Sequence, residues 1–278
     1  IFDSVVTNNR CEPLPATAVG GNGGGIANGR TNNQGGVSAL VAGGIMTISG
    51  STISNNVGAS NSDLSSRAFG GGIANVGQLT IERTLILQNN AVDGRGGGIS
   101  TLDVAGLPSG LVVRDSRIEG NTAGAGQGGG IVSLGTTMVE RTLLRANTAN
   151  NGGAIQVRTQ SGPGAGGITR VSESAITGNS AVFGSAIAVS VGVPAETVVT
   201  SSTISGNTVT SGETGGSAVF ASSPLALNGV TLVDNRGGRG GVFNADTLVG
   251  LYNTIAVANR DYTDAFVDCF ANGAAQTW

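Results

Sequence analysis

Along this chain an aliphatic residue stands three positions before an asparagine eight times, as Val6–Asn9, Ile53–Asn56, Ile86–Asn89, Ile118–Asn121, Leu144–Asn147, Ile176–Asn179, Ile204–Asn207 and Leu232–Asn235. Successive asparagines are 47, 33, 32, 26, 32, 28 and 28 residues apart. A recurrence of roughly 20 to 50 residues marks a stacked-repeat architecture, in which each unit buries its apolar face only against its neighbours. Alignment on the asparagines turns the pattern into columns. Eight positions before them lie Ile48, Ile81, Val113, Val139, Val171, Val199 and Leu227. Five before them lie Ser51, Thr84, Ser116, Thr142, Ser174 and Ser202, with Val230 departing. A small hydroxyl column between two aliphatic ones predicts two short strands joined at a bend. All three columns face inward, and the alternating residues face out.

A second marker keeps step with the first. Gly23-Gly24-Gly25-Ile26 recurs as Gly70-Gly71-Gly72-Ile73, Gly96-Gly97-Gly98-Ile99 and Gly128-Gly129-Gly130-Ile131, and in looser form as Gly152-Gly153-Ala154-Ile155 and Gly240-Gly241-Val242. Each repeat therefore holds one Gly-Gly strand start and one Ile-x-x-Asn strand end, with glycine supplying the sharp turn and close backbone approach. Helical solenoids also repeat at this length, but Thr, Val and Ile dominate the periodic segments and no apolar stretch keeps a 3.6-residue period. The expectation is an all-β chain over 1–278, a single right-handed parallel β-helix of about nine coils and on the order of 40 Å long.

In such a stack Asn9, Asn56, Asn89, Asn121, Asn147, Asn179, Asn207 and Asn235 form an internal ladder, each amide donating to the next coil's carbonyl. Charges stack too. Seven positions before the asparagine come Glu82, Arg114 and Glu140; six before come Arg83, Asp115, Arg141 and Glu173. Sign alternates from coil to coil, which predicts a cross-strand ion-pair ladder that Glu119 and Arg145 continue. The sharper alternative is a carboxylate active site built from Asp115, Glu140 and Glu173 with Arg141.

Composition then removes whole classes of chemistry. The formal charge is −3, all 14 basic residues are Arg, and neither Lys nor His is present. That excludes the usual nucleic-acid signature, the commonest general base and metal ligand, and Schiff-base catalysis. The glycine-rich segments lack the phosphate-loop Gly-Lys pair and the recurrent Asp of calcium-binding repeats, so no metal or cofactor is expected. No apolar run is long enough to span a membrane as a helix. Ile1 opens in mid-strand, so the chain reads as a processed or excised piece.

Three features interrupt the repeat. Residues 29–44 form an insertion, expected as a surface loop of the kind that carries binding. Cys11 belongs to the first coil and Cys269 follows the last, too far apart for a bridge within one rod unless a tail folds back along it. A bridge between rods stacked end to end is open to them. Phe243, Tyr252, Tyr262, Phe266, Phe270 and Trp278 are six of the ten aromatic residues and crowd the C-terminal end. They and residues 260–278 are either a cap for the last coil or a docking surface for a further subunit.

The Gly-Gly-Ala-Ile and aliphatic-x-x-Asn pairing resembles the repeats of polymorphic outer-membrane proteins, with Ile or Leu where those favour Phe. Whole coils such as Gly70–Ile81 look more like bacterial surface proteins with right-handed parallel β-helix repeats. Asn253-Thr254-Ile255 followed by Asp268-Cys269 is similar to their final coil. The resemblance implies export, surface display and often adhesion. The preferred expectation is therefore an extracellular or cell-surface structural rod. Its partners are surface glycans, host or cell-surface molecules, or further copies of itself joined end to end in a filament. The alternative is a polysaccharide lyase or glycoside hydrolase of the β-helix type. An ice-binding face is not expected, because the column four before the asparagine runs Thr52, Leu85, Arg117, Leu143, Ala175, Thr203 and Thr231.

Overall fold

A computed structural model describes residues 1–11, 23–34, 37–41, 43–58, 69–92, 94–102, 109–158, 168–190, 196–212, 216–245, 247 and 249–272. Every regular element among them is a β-strand. Each full coil supplies three to the main walls, and several add a short fourth strand after the asparagine, such as Asn90–Ala91 and Thr148–Asn151. One coil illustrates the path: Ile73–Asn75, then Gln78–Glu82, then Leu85–Leu87. Strands equivalent to these stack in parallel into three walls, termed first, second and third in that order. The first wall holds nine strands from Ile26–Asn28 to Cys269–Asn272, the second eight from Ile45–Ser49 to Val249–Tyr252, and the third nine from Val5–Thr7 to Ile255–Val257. The fold is a parallel β-helix. Its marker glycines precede the first-wall strand, and the two strands around the bend follow it.

Alternation within each strand builds the interior. Ile48, Ile81 and Val113 stand in register in the second wall, Ile53, Ile86 and Ile118 in the third, and Ile73, Ile99 and Ile131 in the first. All nine are fully buried in one continuous core. The hydroxyl column turns inward as well, with Thr84 at 0% exposure. It works at the corner between the second and third walls, where the Thr84 hydroxyl donates to Glu82 O at 2.8 Å and the Thr84 amide donates to Ser116 Oγ at 3.1 Å.

That corner demands a left-handed residue in every coil: Arg83 (φ 47°), Asp115 (49°), Arg141 (45°) and Glu173 (48°). A second left-handed residue precedes each asparagine, among them Gln88 (54°) and Ala146 (53°). Non-glycine residues resist this conformation. The stack holds them there because each bend donates its amide to the coil beyond, as from Arg83 N to Arg114 O at 3.2 Å. The turn into the first wall is tighter. At Gly128 (φ 63°) a Cβ would lie 2.3 Å from Ile131 O, so only glycine fits.

The insertion at 29–44 carries two strands. Arg30–Gln34 and Val37–Val41 pair antiparallel, the one antiparallel sheet among the described residues. Arg30-Thr31-Asn32-Asn33-Gln34 gave little strand signal, since Asn is depleted in strands and this run shows no apolar alternation.

Candidate functional site

The asparagine file is deeper in hydrogen bonds than a simple amide stack. Asn89 is fully buried; its Oδ1 accepts from Asn56 N (3.0 Å) and Asn56 Nδ2 (2.9 Å). Its own Nδ2 donates to Asn121 Oδ1 (3.0 Å) and back to Ile53 O (2.9 Å). The same set recurs at Asn121, Asn147, Asn179, Asn207 and Asn235. Each carboxamide thus meets four partners, its full capacity. Asn9 is exposed at the first coil and donates through N and Nδ2 to Asn56 Oδ1. The file also holds a ninth member, Asn259, buried at 0%. It escapes the sequence pattern because Ala256, not a branched aliphatic residue, stands three before it.

Beyond Asn259 the file ends on Asp268. Asp268 Oδ1 accepts from Asn259 N at 3.1 Å and Asn259 Nδ2 at 2.9 Å. Those are the roles that Asn259 Oδ1 plays for Asn235, at 3.2 and 2.8 Å. Asp268 occupies the position just before the first-wall strand, held in earlier coils by Gly25, Gly72, Gly98, Gly130, Ala154, Ala186, Ala218 and Gly241. A short polar file at the corner of the first and second walls also went unread. There Asn28 Nδ2 donates to Asn75 Oδ1 at 2.9 Å. The repeated Ile-Ala-Asn of Ile26–Asn28 and Ile73–Asn75 was its signal.

The charged residues gather along the corner of the second and third walls. Arg114 lies between Glu82 (3.9 Å) and Glu140 (3.0 Å) on the coils either side. Arg141 reaches Asp115 at 2.7 Å one coil back and also pairs with its neighbour Glu140. Glu173 occupies the equivalent bend one coil further on. Glu119 and Arg145 are register partners, but the Glu119 carboxylate pairs with Arg117 of its own strand, which lies two residues away on the same face. The expected ladder is therefore present in the Glu82–Arg114–Glu140 and Asp115–Arg141 steps. Its positions six before the asparagine sit on bends, not within strands.

This arrangement is poorly suited to hydrolysis. A general acid needs a carboxyl whose pKa is raised by burial. Asp115 is exposed, and the hydrogen bond from Arg141 holds its carboxyl below the usual 3.8. The same contacts raise Arg141, whose guanidinium is engaged by two carboxylates and not open to a substrate's negative charge. No cluster of three or more His, Cys, Asp or Glu able to hold a metal occurs among the described residues.

Both cysteines are free thiols, Cys11 in the first coil and Cys269 in the last. Burial, and after it the Asp268 carboxylate, pushes the Cys269 thiol up to about 11. First-wall register runs from Ile26 to Cys269, so a coil continued straight on would set Ile26, not Cys11, over Cys269.

At the C-terminal end, residues 260–268 close a compact turn. Asp261 Oδ1 accepts from Thr263 N, Thr263 Oγ1 and Ala265 N, while Arg236 pairs with Asp264 at 2.6 Å. The Arg260 guanidinium stacks 3.9 Å from the Phe266 ring centre. Tyr252, Tyr262 and Phe266 are exposed on this end. Phe243 and Phe270 lie in the last two first-wall strands, and Trp278, with 273–277, falls outside the described residues.

Coil length varies on one side only. From second wall to third the path is always two residues, as at Gly50-Ser51, Arg83-Thr84 and Glu173-Ser174. Every insertion borders the first wall instead. Val76-Gly77 leads out of that wall in one coil, whereas Gly29–Gly44 does so in another. In the middle coils the outer surface of this wall is also covered, whereas Ala27 at its start is exposed. Ser100, Val132 and Gln156 point outward by alternation yet are at most 1% exposed. Val76, Leu102, Val132 and Leu134, with Phe69 against them, form a second apolar cluster here. Arg158 and Gln127 hydrogen-bond from opposite sides of the wall. Gln156 Nε2 donates to Ser190 Oγ at 2.8 Å.

No helix among the described residues is long and apolar enough to cross a membrane. No protein-family model, curated protein or solved structure matches the chain.

Proposed function

We propose that this chain is an exported, non-catalytic β-solenoid rod that presents binding segments along its first wall to a surface glycan or another cell-surface molecule. The observation that carries this reading is the one-sided length variation. In stacked-repeat proteins, per-repeat insertions collect on one face, and that face is often the binding face. Here the charged corner keeps one length in every coil, as a structural seam does, while the first wall carries all the insertions. Export and surface display rest on the resemblance of the Gly-Gly-Ala-Ile and Ile-x-x-Asn repeats to those of bacterial surface proteins.

The test pairs binding with catalysis. The intact chain is applied to arrays of surface glycans and to whole bacterial and animal cells. A companion variant has 29–44 replaced by Val-Gly, the path that the Asn75-to-Gln78 corner already uses. The reading expects saturable binding by the intact chain, with loss or weakening in the variant. A new absorbance at 235 nm with uronate polymers, or released reducing sugar, abolished in R141M, would replace it with the lyase or hydrolase reading.

A further inference from the structure

The end of the asparagine file determines how the rod meets a second copy of itself. Each file member receives two donors from the coil before it, and each passes two on. A copy added beyond the last coil would continue the file with its own Asn9, whose Oδ1 would have to receive Asn259 N and Nδ2. That place is taken. Asp268 Oδ1 already accepts both, at 3.1 and 2.9 Å.

The obstruction is steric as well as chemical. In the position that Asp268 occupies, even a bare Cβ crowds the file: one built at Gly72 would lie 3.0 Å from Asn89 Cγ, and one at Gly241 3.0 Å from Asn259 Cγ. Earlier coils keep to glycine or alanine here, so the asparagine carboxamide has room. A side chain longer by a carboxylate fills the place of the carboxamide itself. Ionised, it has no hydrogen to donate back to the preceding coil's carbonyl, as Asn259 Nδ2 does to Leu232 O. We propose that Asp268 is an assembly-control residue, which ends the file within its own chain and closes the C-terminal face to the first coil of a second copy. This inference is independent of the surface-binding reading.

The test compares the intact chain with D268G and D268A, the two residues found elsewhere in this column, and with D268N. Sedimentation velocity and negative-stain images over a wide concentration range give particle length, and hydrogen exchange reports the Asn259 amide. Single rods are expected at all concentrations for the intact chain. D268G and D268A are expected to add linear, end-to-end particles as concentration rises, and a second change, N9A, is expected to abolish them. In dilute single rods the Asn259 amide should exchange about tenfold or more faster in D268G than in the intact chain, and stay protected in D268N, whose carbonyl still accepts. Linear particles from the intact chain at the concentrations where D268G forms them overturn the proposal. So do single rods alone from both folded D268G and D268A, or unchanged exchange at Asn259.

Discussion

Asn147 shows why the file is asparagine and not merely polar. Its Oδ1 receives Asn121 N and Nδ2, and its Nδ2 gives to Ile118 O and Asn179 Oδ1. Asn147→Ala takes the acceptor from the Asn121 amide and removes one bond each from Asn121 Nδ2, Asn179 Oδ1 and Ile118 O. Asn121 Nδ2 keeps Ile86 O, and Asn179 Oδ1 keeps Asn147 N. A buried group left without a partner costs about 1–3 kcal/mol. Some of this is recovered by relaxation, so a loss of about 3–5 kcal/mol in chemical denaturation is expected. Asn9→Ala, exposed at the first coil, should cost less than about 1 kcal/mol. Equal losses at the two positions would show that position in the file is irrelevant. Asp115 makes the opposite case, an exposed group set by one neighbour. Its carboxyl lies below 3.8, so the Arg141 pair stabilises in full above 3.8 and fades as pH falls through the lower folded value. In R141M, NMR titration should find the Asp115 midpoint moved up toward 3.8; an unmoved midpoint would mean that Arg141 is not its partner.

Turns and corners were less legible than strands. The aliphatic and hydroxyl columns gave the second and third walls directly, because two-residue alternation at a fixed offset from Asn has one inward solution. The first wall was seen as a strand start after the glycines, without its length or facing, since Ile73-Ala74-Asn75 is too short to show alternation on its own. Bends occupied by Arg83, Asp115 and Glu173 were read as strand positions, because charge gives no sign of a left-handed backbone. The ninth asparagine and Asp268 were hidden for related reasons: Ala256 breaks the aliphatic rule, and an aspartate in a glycine column looks like an end of the repeat. The candidate face was the least visible, since it emerges only when corner lengths are compared between walls. Gly128→Ala tests the tightest of these turns. A Cβ 2.3 Å from Ile131 O at φ 63° forces the coil to shift, and a loss of about 1–3 kcal/mol is expected. The same change at Gly44, where a Cβ meets nothing within 4 Å, should be nearly neutral. The Cys269 thiol reports the last strand: with its pKa at about 11, alkylation at pH 8 should be slow and rise roughly tenfold per pH unit. Rapid, pH-independent labelling would place that strand away from the coil beneath it.

As one body the molecule is a rod with a fixed seam, a variable face and two unlike ends. The seam keeps its length and carries the ion pairs. The face carries the hairpin at Arg30–Val41 and the other insertions. Asn9 leaves an exposed acceptor at one end, while Asp268 consumes the donors at the other. All of this depends on each repeat making one turn that lies on the turn before it. The third wall offers an outward column to measure this, with Thr52, Leu85, Arg117, Leu143, Ala175, Thr203 and Thr231 in successive register. Spin labels on cysteines placed at Thr52 and Ala175, and separately at Thr52 and Thr231, in a chain with Cys11 and Cys269 changed to Ser, give the two separations by pulsed dipolar spectroscopy. Backbone separations of about 19 Å and about 29 Å are expected, four and six coil spacings of about 4.8 Å. Separations that fail to grow with the number of intervening repeats would contradict the stacked coil.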